Sequence, residues 1–176
     1  MDLSNSKRIQ SLMMIDDSDR KRELKIVVSF LLFGLEDYLK PYLDDTNGYE
    51  FLVSPQLEYK KDYLYYGYSN EGEIEIDVNT KGERYEKQIL LRIVVDDSSK
   101  ACFIPNIMIH SSMLHKGIGK GMIRKCFDIS SHFGFSLYVV QLDDSFLNRL
   151  LRRGALQTGL DEVLITDNTD LEPHEI

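Results

Sequence analysis

Three observations predict an α+β domain with an N-terminal helical element. Apolar residues recur at helical spacing up to about Lys40, with no strand before about Tyr49. From there to His110 the period is two, in short runs separated by turn residues. After His110 strand and helix alternate.

Ile9, Leu12 and Met13 mark a short amphipathic helix in residues 4–20. From Asp19 to about Lys40 the pattern strengthens, with Leu24, Val27, Val28, Leu31, Leu32, Leu35 and Leu39 on one broad face. Pro41 ends that helix or opens its final turn, and Asp44, Asp45, Asn47 and Gly48 form a turn. Residues 1–48 are thus expected to be a helical element packed on the domain.

Phe51–Val53 and Tyr63–Tyr68 are short strand candidates. Gly72–Asn79 alternates cleanly, with Ile74, Ile76 and Val78 against Glu73, Glu75 and Asp77. Lys81 and Gly82 turn the chain into KQILLRIVVDD, a longer strand, and residues 96–99 turn it again into the strand ACFIPNIMIH. Short turns between such runs make an antiparallel meander.

Gly117–His132 is expected to be a helix carrying Ile118, Met122, Ile123, Cys126 and Ile129 on one face, stopped at Gly134. SLYVVQL, Ser136 to Leu142, is nearly continuous apolar, as in a strand covered on both faces. DDSFLNRLLRRGA has an Asp cap, arginines in its last turn and Gly154 as its stop. Gly159–Thr166 is expected to be the final strand, closing a domain of residues 49–166, and 167–176 an acidic, frayed tail.

The 176 residues suit one domain with a real core. A formal net charge of -8 and pI near 5.0 argue against nonspecific grip on nucleic acid or anionic membrane, which needs clustered Lys and Arg. Cys102 and Cys126 read as buried, reduced thiols, and no Cys/His spacing of the zinc type occurs. No signal peptide is visible, and the longest apolar run, Ile26–Leu35, is too short to span a bilayer. The expected setting is the cytoplasm.

HSSMLHKGIGKGMIRKCF, His110 to Phe127, is the least generic stretch. Gly117 and Gly119 allow a close approach to backbone N–H groups, and a helix opening near Gly117 leaves its first N–H groups without partners. Such a turn favours an anion, with Lys116 and Lys120 at its rim. The P-loop form fails because Gly119-Lys120 is followed by Gly121, and the dinucleotide form fails because Met122 takes the third glycine's place.

These residues resemble the GNAT superfamily of acyl-CoA-dependent N-acetyltransferases. Its strand pattern L-x-N-L-x-V is met by Ile104, Asn106, Ile107 and Ile109, and its loop [Arg/Gln]-x-x-Gly-x-[Gly/Ala] by LHKGIG, Leu114 to Gly119. The match runs over roughly Glu73 to Ala155, about half the chain. The resemblance implies a GNAT-like sheet, mixed and mostly antiparallel, splayed near the motif strand and flanked by helices on both faces. It implies acetyl-CoA, or another acyl-CoA, as cofactor and an amine as acceptor. Strand backbone around Ile107 and Ile109 would bond the pantetheine arm. The loop from Leu114 through His115, Lys116, Gly117, Ile118 and Gly119 to Lys120 would cradle the pyrophosphate.

The chain departs from the family's pattern at named positions. Leu114 stands where Arg or Gln is usual, and Leu150 where a Tyr commonly protonates the departing thiolate. Asp143 replaces an Asn, as a substitute cofactor contact or as a routine helix cap. The usual first strand is missing.

Acetyl transfer needs a neutral amine, a polarised thioester and a proton for the leaving thiolate. His110, at the end of the motif strand, is the catalytic candidate as a base acting near neutral pH, against a plain strand-end histidine. Glu73, Glu75 and Asp77 read either as a stripe that attracts a cationic amine or as a solvated sheet face. The tyrosines of DYLYYGY read either as an acceptor pocket or as strand packing. The expected function is an acyl-CoA-dependent N-acyltransferase, with a homodimer as a further expectation. The alternatives are a non-catalytic GNAT-like module that binds acyl-CoA or a protein partner, and a regulatory protein in which the glycines are only a corner.

Overall fold

The apolar stripe that begins near Leu24 becomes helix α1, Asp19–Leu43, with Pro41 inside its last turn. The computed structural model describes residues 19–43, 49–54, 71–80, 87–109 and 116–172. The expected short helix in 4–20 falls almost wholly outside them, and the strand Tyr63–Tyr68 and the Lys81–Gly82 turn fall wholly outside. Helices α2 (Ile118–His132) and α3 (Asp144–Arg152) follow, with strands β1 (Tyr49–Ser54), β2 (Glu71–Thr80), β3 (Lys87–Asp96), β4 (Ala101–Ile107), β5 (Ser136–Val139), β6 (Leu156–Gln157) and β7 (Val163–Ile165).

The strands form one mixed sheet in the order β1-β2-β3-β4-β5-β7-β6. β1 to β4 are the expected antiparallel meander. β5 lies parallel to β4, which requires the long crossover that α2 supplies. The α+β class and the mostly antiparallel mixed sheet therefore hold.

Alternation in β3 decides which side is core. Leu91, Ile93 and Val95 are completely buried, while Arg92, Val94 and Asp96 are half-buried. α1 lies over β1, β2 and β3 and against α2, which lies over β4 and β5, so both helices cover one sheet face. On that side a single apolar cluster joins Leu31 and Leu35 of α1 to Met122 and Cys126 of α2 and to Leu147 and Leu150 of α3.

The two long helices meet at glycines. A Cβ at Gly34 would stand 2.5 Å from Cδ1 of Ile129, and one at Gly121 would overlap the Tyr38 ring. Each helix thus receives a large side chain of the other at a position without one, which brings the backbones close. At the far end Lys100 ties α1 to the β3–β4 turn, with Nζ 2.6 Å from Asp97 Oδ1 and 3.0 Å from Glu23 Oε2.

Several sequence expectations need correction. ACFIPNIMIH is not one regular strand. Arg92 pairs with Asn106 but Val94 with Phe103, so Ile104 and Pro105 together oppose Ile93 as a β-bulge. SLYVVQL is strand only to Val139. Leu137 and Val139 are buried and Tyr138 half-buried, and the chain turns at Gln141, whose φ is 57°. Gly159–Thr166 is strand only at β7, and β6, just before that range, pairs with it in a hairpin closed by the Thr158 N–H donating to the Glu162 carbonyl at 3.1 Å. Nor is the tail frayed from Asp167 onward. Thr169 is 2% and Leu171 1% exposed. Among the described residues, no helix is long and apolar enough to cross a membrane.

Candidate functional site

The bulge in β4 is what builds the site. Before it, Cys102 and Ile104 are fully buried on the helix-covered face. An extra residue shifts the alternation by one, so that Ile107 and Ile109 return to that face and Met108, 49% exposed, does not. Ile107 and Ile109 then meet the first turn of α2: a Cβ at Gly119 would lie 3.4 Å from Cγ1 of Ile109 and 4.0 Å from Cδ1 of Ile107.

The same region is where the β4–β5 pairing ends. Their last pair is Ile104 with Val139, followed by the Val140 N–H donating to the Ile104 carbonyl at 3.1 Å. Beyond it β4 continues to Ile107 paired with Leu91 of β3, and among the described residues no strand lies on its other edge. Among the described residues, an extended backbone edge without a strand partner therefore lies next to a helix N-terminus.

That helix starts on glycine for a steric reason. Gly117 is the N-cap with φ 71°, in the left-handed region where a side chain is strained, and no side chain caps it. Its carbonyl accepts the Gly121 N–H at 3.0 Å, the first intrahelical bond. The N–H groups of Ile118, Gly119 and Lys120 precede that bond and have no partner within the helix. They and the helix dipole make the turn electropositive.

The remaining predicted site residues divide. Ile118 is 1% exposed, so its side chain is core and only its main chain is at the turn. Lys116 is exposed. Lys120 is engaged elsewhere: Nζ donates to the Glu172 carbonyl at 2.5 Å. Burial, and after it the charge of Arg153, lowers the Lys120 pKa, although Asp170 and Glu172 pull the other way. Asp143 is the α3 N-cap, its Oδ1 accepting the Phe146 N–H at 2.8 Å. His110, Leu114 and His115 lie outside the described residues. Leu150, at the family's Tyr position, is 2% exposed in the core. Glu73, Glu75 and Asp77 sit on β2 opposite Val94, Arg92 and Ile89 of β3.

Sequence reasoning missed two participants. Tyr38 of α1 reaches over Gly121, its Oη 3.5 Å from the Ile118 carbonyl. Burial raises its pKa, helped by Tyr42, and the hydroxyl stays protonated. The other is the segment ending at Glu172, which meets Lys120. The one signal available in the sequence was Gly121, a third alternate glycine that an anion turn alone does not require.

The fold and this turn define an α+β protein with a mixed, open sheet. No protein-family model matches the chain, and no match is found among curated proteins.

Proposed function

We propose that this protein is an acyl-CoA-dependent N-acyltransferase, transferring an acetyl group from acetyl-CoA to an amine. The observation that carries the reading is the end of the parallel β4–β5 pairing at Ile104 and Val139, with β4 running on toward the Gly117 turn. The edge of β4, without a strand partner among the described residues, suits the amides of a pantetheine arm, and the N–H groups of the α2 first turn that have no partner within the helix suit a pyrophosphate. The resemblance of Ile104–Ile109 and Leu114–Gly119 to the GNAT motif supports the same placement. His110 is the base in this reading, and Leu150, buried in the core, donates no proton. The proton that His110 takes from the attacking amine then passes from its imidazolium, directly or through a water, to the departing thiolate, leaving the amide and free CoA thiol.

A specific observation favours a second reading. Because Leu150 is core rather than merely a substituted site residue, a module that binds acyl-CoA without turnover accounts for the same geometry.

Thermal unfolding with acetyl-CoA, with CoA and with neither tests the cofactor. A ligand at about a hundred times its dissociation constant adds roughly 2.7 kcal/mol, or about 5 to 10 °C for a domain of this size. No rise at saturation sinks both readings. A rise followed by thiol release with an amine panel selects the enzyme, and a rise without release selects the binding module.

A further inference from the structure

The cofactor reading assigns Lys116 and Lys120 to the rim of the turn, and the structure leaves them unequal. Lys120 is held by the Glu172 carbonyl at 2.5 Å, and that carbonyl is itself fixed. Leu171 is buried beside it. The Asp170 N–H donates to the Arg153 carbonyl at 2.7 Å. The Asp170 carboxylate pairs through Oδ2 with Arg153 Nη1 at 3.3 Å and accepts the Glu172 N–H through Oδ1 at 3.2 Å. Asp170 therefore anchors Glu172, the residue whose carbonyl holds Lys120.

We propose that residues 169–172 form a strap that competes with the anionic cofactor for Lys120, restraining the site until an anion displaces it. The proposal rests on the acyl-CoA reading of the same turn. A phosphate oxygen is a charged acceptor and a carbonyl a neutral one, so a phosphate adds a Coulomb attraction to the Lys120 ammonium that the carbonyl lacks. The strap also carries the Asp170 and Glu172 carboxylates, whose field opposes an approaching polyanion. Burial already disfavours the Lys120 ammonium in its present place, so a phosphate offers it more than the carbonyl does. Linkage makes the competition reciprocal: loosening the strap tightens the anion, and a bound anion loosens the strap.

The test is CoA affinity by calorimetry for the unaltered chain, Asp170→Ala, Lys120→Ala and the double variant. The Asp170 side chain is 52% exposed, so its removal frees Glu172 while Leu171 keeps the segment in place. Asp170→Ala is expected to tighten CoA several-fold, Lys120→Ala to weaken it, and the gain from Asp170→Ala to vanish once Lys120 is alanine. A gain that persists without Lys120 is a plain charge effect and overturns the strap. So does weaker binding by Asp170→Ala, which makes the segment part of the site. Both outcomes leave CoA binding itself intact. If none of the four forms binds CoA, the cofactor reading fails and the strap falls with it.

Discussion

Tyr38 of α1 lies directly over Gly121 of α2: a Cβ at 121 would overlap its Oη and Cζ and stand 2.9 Å from Cε2. The glycine turn is thus locked from above by the N-terminal helical element, and its third glycine answers to packing.

Gly121→Ala is therefore expected to destabilise the protein by about 1–3 kcal/mol, since Tyr38 is wedged between helices and cannot simply swing aside. Tyr38→Ala alone costs packing, but in its presence Gly121→Ala becomes nearly neutral. Urea unfolding of the four members of the cycle measures the coupling. Additive losses would mean that the two residues do not share this space.

Gly119 faces Ile109 rather than the open side of the turn. Gly119→Val is expected to lift the α2 first turn from β4, lowering stability by about 1–3 kcal/mol even without ligand. A variant as stable as the original that loses only CoA binding would show instead that Gly119 faces the ligand.

Lys100 bridges Asp97, whose side chain is 6% exposed, and the half-exposed Glu23. Lys100→Met strands a mostly buried carboxylate. Because Lys100 is itself 44% exposed, solvent screens the loss to roughly 1–2 kcal/mol. Adding Asp97→Asn should recover part of it in denaturant titrations. A loss unaffected by Asp97→Asn would place the cost outside the Asp97 pair, in the Lys100 contacts with Glu23 and the Phe135 ring.

The thiols make stability sensitive to alkali. Burial pushes the Cys102 thiol from 9.0 up to about 11, with a smaller opposing influence from nearby Ser130, and burial with the neighbouring Cys102 raises Cys126 further. A folded pKa above the unfolded value gives stability that is complete below pH 9.0 and is lost as pH rises toward about 11, because only the unfolded chain ionises freely there. Denaturation between pH 8 and 11 should show that decline, and Cys126→Ala should flatten it. An unchanged slope would assign the alkaline loss to other groups.

Leu150→Tyr, which introduces the residue usual in the superfamily the glycine motif resembles, is expected to lower stability and, on the enzyme reading, to give no gain in turnover. The side chain at 150 points into the core, where a phenol hydroxyl finds no assured partner. A faster variant would show that position 150 reaches the thioester.

The meander, α1, the Gly117 start of α2 and the Asp143 cap of α3 were legible in the sequence. Each is local: apolar periodicity, turn residues and caps act within one or two turns of chain. β6, by contrast, is two residues long and is a strand only because β7 lies beside it. The bulge at Ile104–Pro105 is fixed by the pairing with β3; Pro105 was its one local signal, and the return of Ile107 and Ile109 to the helix face followed only from the register.

What the sequence by itself determined is the set of elements and the glycine turn, since helix and strand periods and backbone sterics at Gly117 are properties of neighbouring residues. Only the tertiary structure decided what the turn is built against. Tyr38 reaches Gly121 across 83 positions and Lys120 meets Glu172 across 52. Contacts at such separations leave no mark on local pattern, because burial and hydrogen bonding are settled by which surfaces meet.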